Sequence, residues 1–442
     1  MSAQSPALPR LLAGPRQWRA ATLGEHLSLH GLPALDGDAD ALATAVEQAG
    51  LRGRGGAGFP TARKLHALRS RRGRFLPTAP IVVANGSEAE PASEKDRVLL
   101  GRSPHLVLDG LQLAARAVGA ARAVLCLRAD AATARAALAA ALDERAAAGR
   151  DRIAVTVVPV APGFVAGEER SLVHALNGGP PIPTAARPWE RGVEGRPTLV
   201  QNVESLAHVA LIARHGPAWF RALGSDDEPG SALATVIGAV ARPGVHEVPL
   251  GVSLDTLLAA SGGDLGDAGA LLVGGYAGGW LTAEQAHRAR LLRADLAPLG
   301  ASVGCGLVAA LPRDGCGVAE TARLVRWLTG QSAGQCGPCV HGLDAIAGAL
   351  ESLCASWPPA SDPLPDVRRW CGDVAGRGAC GHPDGVVRLV RSALTAFASE
   401  LDDHARHGAC ARCDAPPALP LPRARPAGQR TSTVPETWRA AA

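Results

Sequence analysis

The chain has 442 residues, a formal net charge of +4 and 47% hydrophobic residues, enough for roughly two to four domains with their own cores. Weak net charge without a basic stripe interleaved with aromatics argues against nucleic acid as a partner, and no run of about 18 apolar residues marks a membrane span. Met1–Gln17 lacks the apolar core of a signal peptide, so the expectation is a cytoplasmic chain, free or peripheral to a membrane complex.

Residues 1–38 read as a loosely structured arm. From Ala39 to Gly50, Leu42, Val46 and Ala49 recur at helical spacing and predict a short helix. It feeds the stretch Gly50-Leu51-Arg52-Gly53-Arg54-Gly55-Gly56-Ala57-Gly58-Phe59-Pro60-Thr61-Ala62-Arg63-Lys64, with five glycines in nine residues. Such density marks a backbone that turns sharply or meets a ligand closely. Backbone N–H groups beside cations form an anion cradle, most often for phosphate, and Pro60 suits the first turn of a following helix. Gly53, Gly55 and Gly58 also satisfy G-x-G-x-x-G. A dinucleotide fingerprint, however, needs a strand just before its glycines, and here a helix precedes them.

Residues 80–85 form a buried β-branched strand that ends in Asn85-Gly86-Ser87-Glu88-Ala89-Glu90-Pro91. In open α/β sheets, ligands bind at the carboxyl ends of strands. A helix at 105–119, a strand at 121–127, an Ala-rich helix at 130–148 and a strand at 152–160 continue the alternation of an α/β layer. Gly163 to Leu172 make a glycine turn whose Glu168 and Glu169 open a helix, a place where acids also serve as ordinary dipole partners. Residues 177–196 are loop by their Pro and Gly content, and Gly195 to Ser205 lead through Gln201 and Asn202 into a helix at 203–214. Short runs at 235–239 and 244–248, a helix at 253–260 and Leu271–Trp280 suggest a small β-grasp-like module. Residues 317–354 and 364–405 are helical by pattern, and 414–442 are rich in Pro, Ala and Arg and expected to be disordered.

Rare residues carry information here. Of 45 lysines and arginines only Lys64 and Lys95 are lysine, and Asn85, Asn177 and Asn202 are the three asparagines. A chain that otherwise uses Arg keeps Lys where a compact point charge is needed. Eight of the ten cysteines lie between Cys316 and Cys413, which in a cytoplasmic chain points to metal or catalysis before disulfides. Core packing is the expectation for Cys126 and Cys305.

Four segments together resemble the NADH-binding flavoprotein subunit of respiratory complex I and the related diaphorase subunits of NAD-linked hydrogenases and formate dehydrogenases. They are the glycine loop, Asn85 with Lys95-Asp96-Arg97, Gly167-Glu168-Glu169, and Gly195-Arg196-Pro197-Thr198 with Asn202-Val203-Glu204. Pro243 to Gly279 resembles that family's soluble-ligand-binding β-grasp (SLBB) insert, and Ser332-Ala333-Gly334-Gln335-Cys336-Gly337-Pro338-Cys339 resembles its iron–sulfur signature. The likeness covers roughly residues 20–410.

The resemblance implies an α/β fold class in three parts: an FMN-binding α/β domain (39–228), an SLBB-like β-grasp domain (229–300) and a helical bundle carrying the cysteine cluster (301–413), between the arm and a tail (414–442). It implies an oxidoreductase flavoprotein of electron transport, moving electrons from NAD(P)H through FMN and a [4Fe-4S] cluster to a ferredoxin-like or quinone-reductase partner. Gly53, Arg54, Gly55 and Gly56 would approach the flavin and its phosphate, and Lys64 would neutralise phosphate charge. Asn85, Ser87, Gln201 and Asn202 would meet ring or ribitol. Glu88, Gly167 and Glu168 would line the flavin and nicotinamide cavity beside Glu90 and Glu169, the catalytic candidates, and Phe59 would stack on NADH.

Two departures from the family stand out. The family stacks adenine between phenylalanines; Phe59 matches one, but Ala67 and Arg187 stand at the others, Thr184 at a neighbouring lysine site, and Ser87 at the usual aspartate. The family's cluster motif is C-x2-C-x2-C with a fourth cysteine about forty residues on, and Ala333 replaces the first cysteine. Cys336, Cys339 and Cys380 remain, with Cys410 the expected fourth ligand and Cys413, Cys371, Cys354 and His382 as further candidates. Cys336/Cys339 with Cys410/Cys413 would also suit zinc as two C-x2-C pairs. The rival readings are the same fold with a donor other than NADH, such as ferredoxin, and a non-catalytic docking subunit with a zinc site.

Overall fold

The computed structural model describes residues 8–15, 19–32, 39–69 and 78–422. Strands β1 (Ile81–Gly86), β2 (Arg122–Arg128), β3 (Val155–Val160) and β4 (Thr198–Asn202) form a parallel sheet in the order β3-β2-β1-β4. Alternate residues of β1 face opposite sides: Val82 and Ala84 join one core, Ile81 and Val83 another. Helices Pro104–Val118 and Val203–Arg221 cover the first face, so close to each other that a Cβ at Gly110 would strike the Leu206 backbone. Helix Glu169–Leu176 covers the second, where Cys126 is fully buried as expected of a core thiol. The chain moves outward from β1 to β3 and then returns to the other side of β1, so the strand order reverses between β1 and β4. In open parallel sheets that reversal leaves a crevice at the strands' carboxyl ends. Asn85 and Asn202, the register partners there, stand at its mouth.

A second sheet contains β5 (Ser231–Gly238), β6 (Gly244–Pro249), β7 (Ala268–Val273), β8 (Gly279–Thr282) and β9 (Leu307–Pro312), in the order β6-β5-β9-β7-β8. Its β5–β9 pair is parallel and the others antiparallel. The expected boundary at residue 300 therefore cuts through this unit, since β9 is its central strand. Leu307 to Pro312 alone looks like any short apolar run, and only pairing shows where it belongs. One face of the sheet carries its own core with helix Leu254–Ala260. The other shares a core with the C-terminal helices, where Trp280 meets Phe397 edge-on at 5.2 Å.

The helical patterns at 317–354 and 364–405 each break. Gly317–Gly330 stops before a Gly- and Pro-containing loop, and Leu343–Ser352 follows it; Leu364–Val374 stops before a second loop, and His382–Ala396 and Ala398–His407 follow. Cys336 and Cys380 sit on those breaks.

Where described, the arm is ordered. Leu11 is fully buried, the amides of Arg10 and Leu12 donate to Glu247 at 2.8 and 3.1 Å, and helix Leu23–His30 has a Thr22/Glu25 capping box. The tail is packed to Pro422: the Ala418 amide donates to Glu320 at 2.6 Å and Leu419 is buried. The rest of the expected disordered tail lies outside the described residues. Among the described residues no helix is long and apolar enough to cross a membrane.

Candidate functional site

The glycine loop folds back on itself, with the Gly53 amide donating to the Phe59 carbonyl at 2.8 Å, and helix Thr61–Arg69 starts directly after Pro60. Gly58 has φ +59°, a left-handed backbone that favours glycine, and a Cβ there would displace the Arg293 guanidinium. Arg293 is itself ion-paired to Glu228 at 2.9 Å, which fixes the loop against the second domain.

Two joined cavities open from this loop. The outer one, ≈ 590 Å³, is walled by Gly53, Phe59, Lys64, Glu169, Trp189 and Gln201, among others. The inner one, ≈ 330 Å³, reaches Gly56, Ser87, Glu88, Glu90, Phe164 and Cys305. Gly55, Asn85, Gly167, Glu168 and Asn202 belong to both. Of the side chains expected around the cofactor, Arg54 alone is turned away. Its guanidinium is buried and donates to the Ser231 carbonyl at 2.9 Å, and its amide donates to Ser205 Oγ. Spacing within a glycine loop carries no information on which way a long side chain points.

Several expected contact residues are scaffold. Asn85 Nδ2 donates to the Gly167 carbonyl, while its Oδ1 accepts from the Ser87 amide and hydroxyl. Asn202 caps helix Val203–Arg221, and its Nδ2 donates to the Asn85 carbonyl and to Asp96. The Asn202 amide joins the two strand ends and the Asn85 amide ties β1 to the Gly167 turn, so the polar atoms expected to reach ring or ribitol are engaged within the protein. Glu168 caps helix Glu169–Leu176 by accepting from the amides of Arg170 and Ser171. Lys95, buried, bonds Asp96 at 2.7 Å and Glu204 at 2.9 Å. Burial alone would lower its pKa, but those two carboxylates reverse the direction and raise it.

Glu88 is a non-glycine residue at φ +40°. A left-handed backbone costs about 1–3 kcal/mol and persists where its surroundings hold it. Here the carboxylate accepts from Ser93 and from the amides of Asp96 and Arg97. Burial, with the charge of Asp96, pushes the Glu88 pKa up to about 7. Glu90 is raised further, to about 8, by burial that the Tyr276 amide at 3.1 Å only partly offsets. The inner cavity thus holds a carboxyl able to keep a proton at neutral pH. Cys305, expected in the core, is half-buried on that same wall.

In the outer cavity Lys64 Nζ donates to Glu169 at 2.5 Å and to the Val200 carbonyl at 3.2 Å. Among the described residues, Gln201 Nε2 and Glu90 Oε1 are buried without a hydrogen-bond partner. Buried polar atoms are rarely left so unless a ligand completes them. A two-lobed cleft with a glycine floor, a lysine and two unsatisfied polar atoms fits FMN, with Gly53, Gly55, Gly56, Lys64 and Gln201 as its holders.

The sequence pattern gives no sign of Trp189. Arg187, aligned to a phenylalanine, is exposed and pairs with Glu190, while Trp189, two residues on, joins Phe59 on the cavity wall. Only the aromatic's presence in the 177–196 loop could have signalled it.

Cys336, Cys339 and Cys380 gather at the two helix breaks. Cys339 is pushed up to about 12 by burial, with the nearby charges of Cys336 and Cys380 adding to it. Three thiols at this spacing suit iron–sulfur ligation, one protein thiolate short of the usual four. Cys410 is not the fourth. It lies with Cys316, His404 and Cys413 in a separate group, so the two C-x2-C pairs do not share a site.

The pattern of the Nuo51 FMN-binding domain matches residues 46–211, and that of the NADH-ubiquinone oxidoreductase-F iron-sulfur binding region matches residues 319–404. A second F component of the NADH-quinone oxidoreductase of Rhizobium meliloti is 30% identical over 393 residues, covering 84% of this chain and 90% of its own length. The F component of the NADH-quinone oxidoreductase of Streptomyces coelicolor is 30% identical over 430 residues, 92% of each chain. A chain of the NAD+-reducing [NiFe]-hydrogenase in its H2-reduced state superposes with a TM-score of 0.77 at 33% identity over 87% of this chain. The present chain spans 65% of that hydrogenase chain's length. Family patterns, relatives matched over most of their length and backbone agree: the chain belongs to the NADH-quinone oxidoreductase-F family of oxidoreductases, and carries that family's FMN-binding domain and iron–sulfur region.

Proposed function

We propose that this chain is the NADH-oxidising subunit of a multi-subunit assembly, delivering single electrons to a ferredoxin-like or quinone-reducing partner. When bound, the flavin exchanges a hydride for single electrons and the cluster passes single electrons onward. The observation that carries the reading is the closeness of cleft and thiols. Arg170, in the first turn of helix Glu169–Leu176 just after the Gly167-Glu168 wall of both cavities, donates to the carbonyl of Ala379 at 3.4 Å, one residue before Cys380.

The chain's own groups divide the work. Phe59 and Trp189 offer aromatic faces for the dinucleotide at the outer opening. Lys64 holds Glu169 in place and offers positive charge to phosphate. Glu90 holds a proton at the inner end, where burial excludes water. The second sheet is read as an SLBB-like β-grasp unit, supported by its order and its central parallel pair. It extends to β9, and the helical iron–sulfur unit follows it.

Anaerobic titration of the reconstituted holoprotein with NADH tests this: the visible flavin absorbance should bleach. Trp189→Ala should raise KM for NADH about tenfold with kcat little changed, as loss of one stacking face costs about 1.4 kcal/mol. Bleaching by reduced ferredoxin but by neither NADH nor NADPH would sink the proposal in favour of a different donor.

A further inference from the structure

Cys316, His404, Cys410 and Cys413 place their ligand atoms within 4.8 Å of one another. They come from three places: the start of helix Gly317–Gly330, the last helix, and the turn after it. Cys413 Sγ lies 3.6 Å from Cys316 Sγ and 3.8 Å from Cys410 Sγ, and Cys316 Sγ lies 3.7 Å from His404 Nε2. These separations identify the chemistry. A tetrahedral zinc with Zn–S of about 2.3 Å and Zn–N of about 2.0–2.1 Å has S···S edges of about 3.8 Å and S···N edges of about 3.5 Å. A disulfide would bring two sulfurs to about 2.05 Å, whereas all four donors here are mutual neighbours. A cubane cluster would hold its ligands farther apart, with iron and sulfide between them.

The surroundings suit a metal too. His404 is buried, with Nδ1 2.9 Å from the Leu353 carbonyl; donation there fixes the tautomer that leaves the Nε2 lone pair facing the thiols. The Ala319 amide, in the first turn of helix Gly317–Gly330, donates to Cys316 Sγ at 3.4 Å. Arg412, between the two cysteines of the turn, is anchored to the Gly315 carbonyl at 3.3 Å and to Glu400 at 3.2 Å. It offers positive charge to a site whose three thiolates outweigh one divalent ion.

We infer that Cys316, His404, Cys410 and Cys413 form a structural zinc site, separate from the iron–sulfur group. Cys316, Cys410 and Cys413 lie outside the stretch that matches the family's iron–sulfur region. The site closes the first and last helices of the bundle onto each other and anchors the segment that continues to Pro420. The Pro420 carbonyl accepts from the Tyr276 hydroxyl at 2.5 Å, and the Tyr276 amide is the one bonded to Glu90.

Metal analysis of the full chain, expressed with zinc and iron, tests the site. Zinc should be present at about one per chain. Cys413→Ser and Cys316→Ser should each lower it at least about tenfold while iron and flavin remain. Cys336→Ser should remove iron while zinc remains, and Cys354→Ala, a neighbouring thiol outside the group, should keep zinc. Should the serine variants not fold, a chain with Cys336, Cys339 and Cys380 all changed to Ala and refolded with cobalt(II) alone decides the matter, because a thiolate-ligated tetrahedral cobalt gives intense visible bands. Absence of zinc from wild type, its retention in both serine variants, or no cobalt–thiolate bands would overturn the inference.

Discussion

The two thiol groups of the C-terminal bundle are placed differently in the fold. Cys336 and Cys380 are half-exposed on breaks between helices, beside the cleft, with Val340 exposed next to them. The Cys316 group is drawn together around a buried histidine and tied to a packed tail. One arrangement lies against the cleft, while the other gathers four donors within 4.8 Å of one another, a spacing that suits one ion. Sequence spacing shows C-x2-C twice and cannot tell these apart. The convergence of Cys316, His404, Cys410 and Cys413 within 4.8 Å, apart from Cys336, Cys339 and Cys380, does so.

The same contrast divides the carboxylates of the cleft. Glu169 is partly open and paired with Lys64. Glu90 is sealed, with a raised pKa.

The largest effect should come from the open thiols. Cys336→Ser should abolish iron binding and lower the reduction of one-electron acceptors by about a hundredfold or more, while NADH still bleaches the flavin. Unchanged acceptor reduction in an iron-free variant would erase the distinction between the two groups.

A second test concerns the sealed acid. In the unfolded chain Glu90 ionises near 4.5, but in the folded protein only near 8. Its contribution to stability is therefore fully present below about pH 4.5 and is lost as pH rises to about 8, because the unfolded state gives up the proton first. Glu90→Gln removes this penalty. Its melting temperature should pull ahead of wild type by about 5 °C between pH 5 and pH 9. Parallel melting curves across that range would mean that Glu90 is as open as Glu169.

The smallest effect is a repair. Ala333→Cys restores a fourth thiol to the open group, and should slow iron loss in air by about threefold to tenfold without altering zinc content. Equal rates of iron loss would mean that residue 333 does not face the cluster.

Much of the cleft was legible. Glycine density, two lone lysines and a polar turn at a strand end marked residues that the fold assembles around one crevice. Their roles were less so. Asn85 and Asn202 looked like ligand contacts and serve as the frame, because residue type reports capacity for hydrogen bonding and not its direction. The zinc-type group joins Cys316 to residues 88 and 97 positions away, and no local pattern marks such a pairing. β9 was hidden for a related reason, since a strand inserted in mid-sheet is defined by partners distant along the chain.

The register partnership of Asn85 and Asn202 carries one more consequence. Adjacent strands are held about 4.8 Å apart by their hydrogen-bond ladder, so the gauge between the two loops at the mouth of the crevice is inherited from the sheet. Loop composition can drift, trading a phenylalanine for a tryptophan two positions along, while that gauge stays constant. A lineage can thus change donor or acceptor by rewriting the rim and leave the track beneath it untouched.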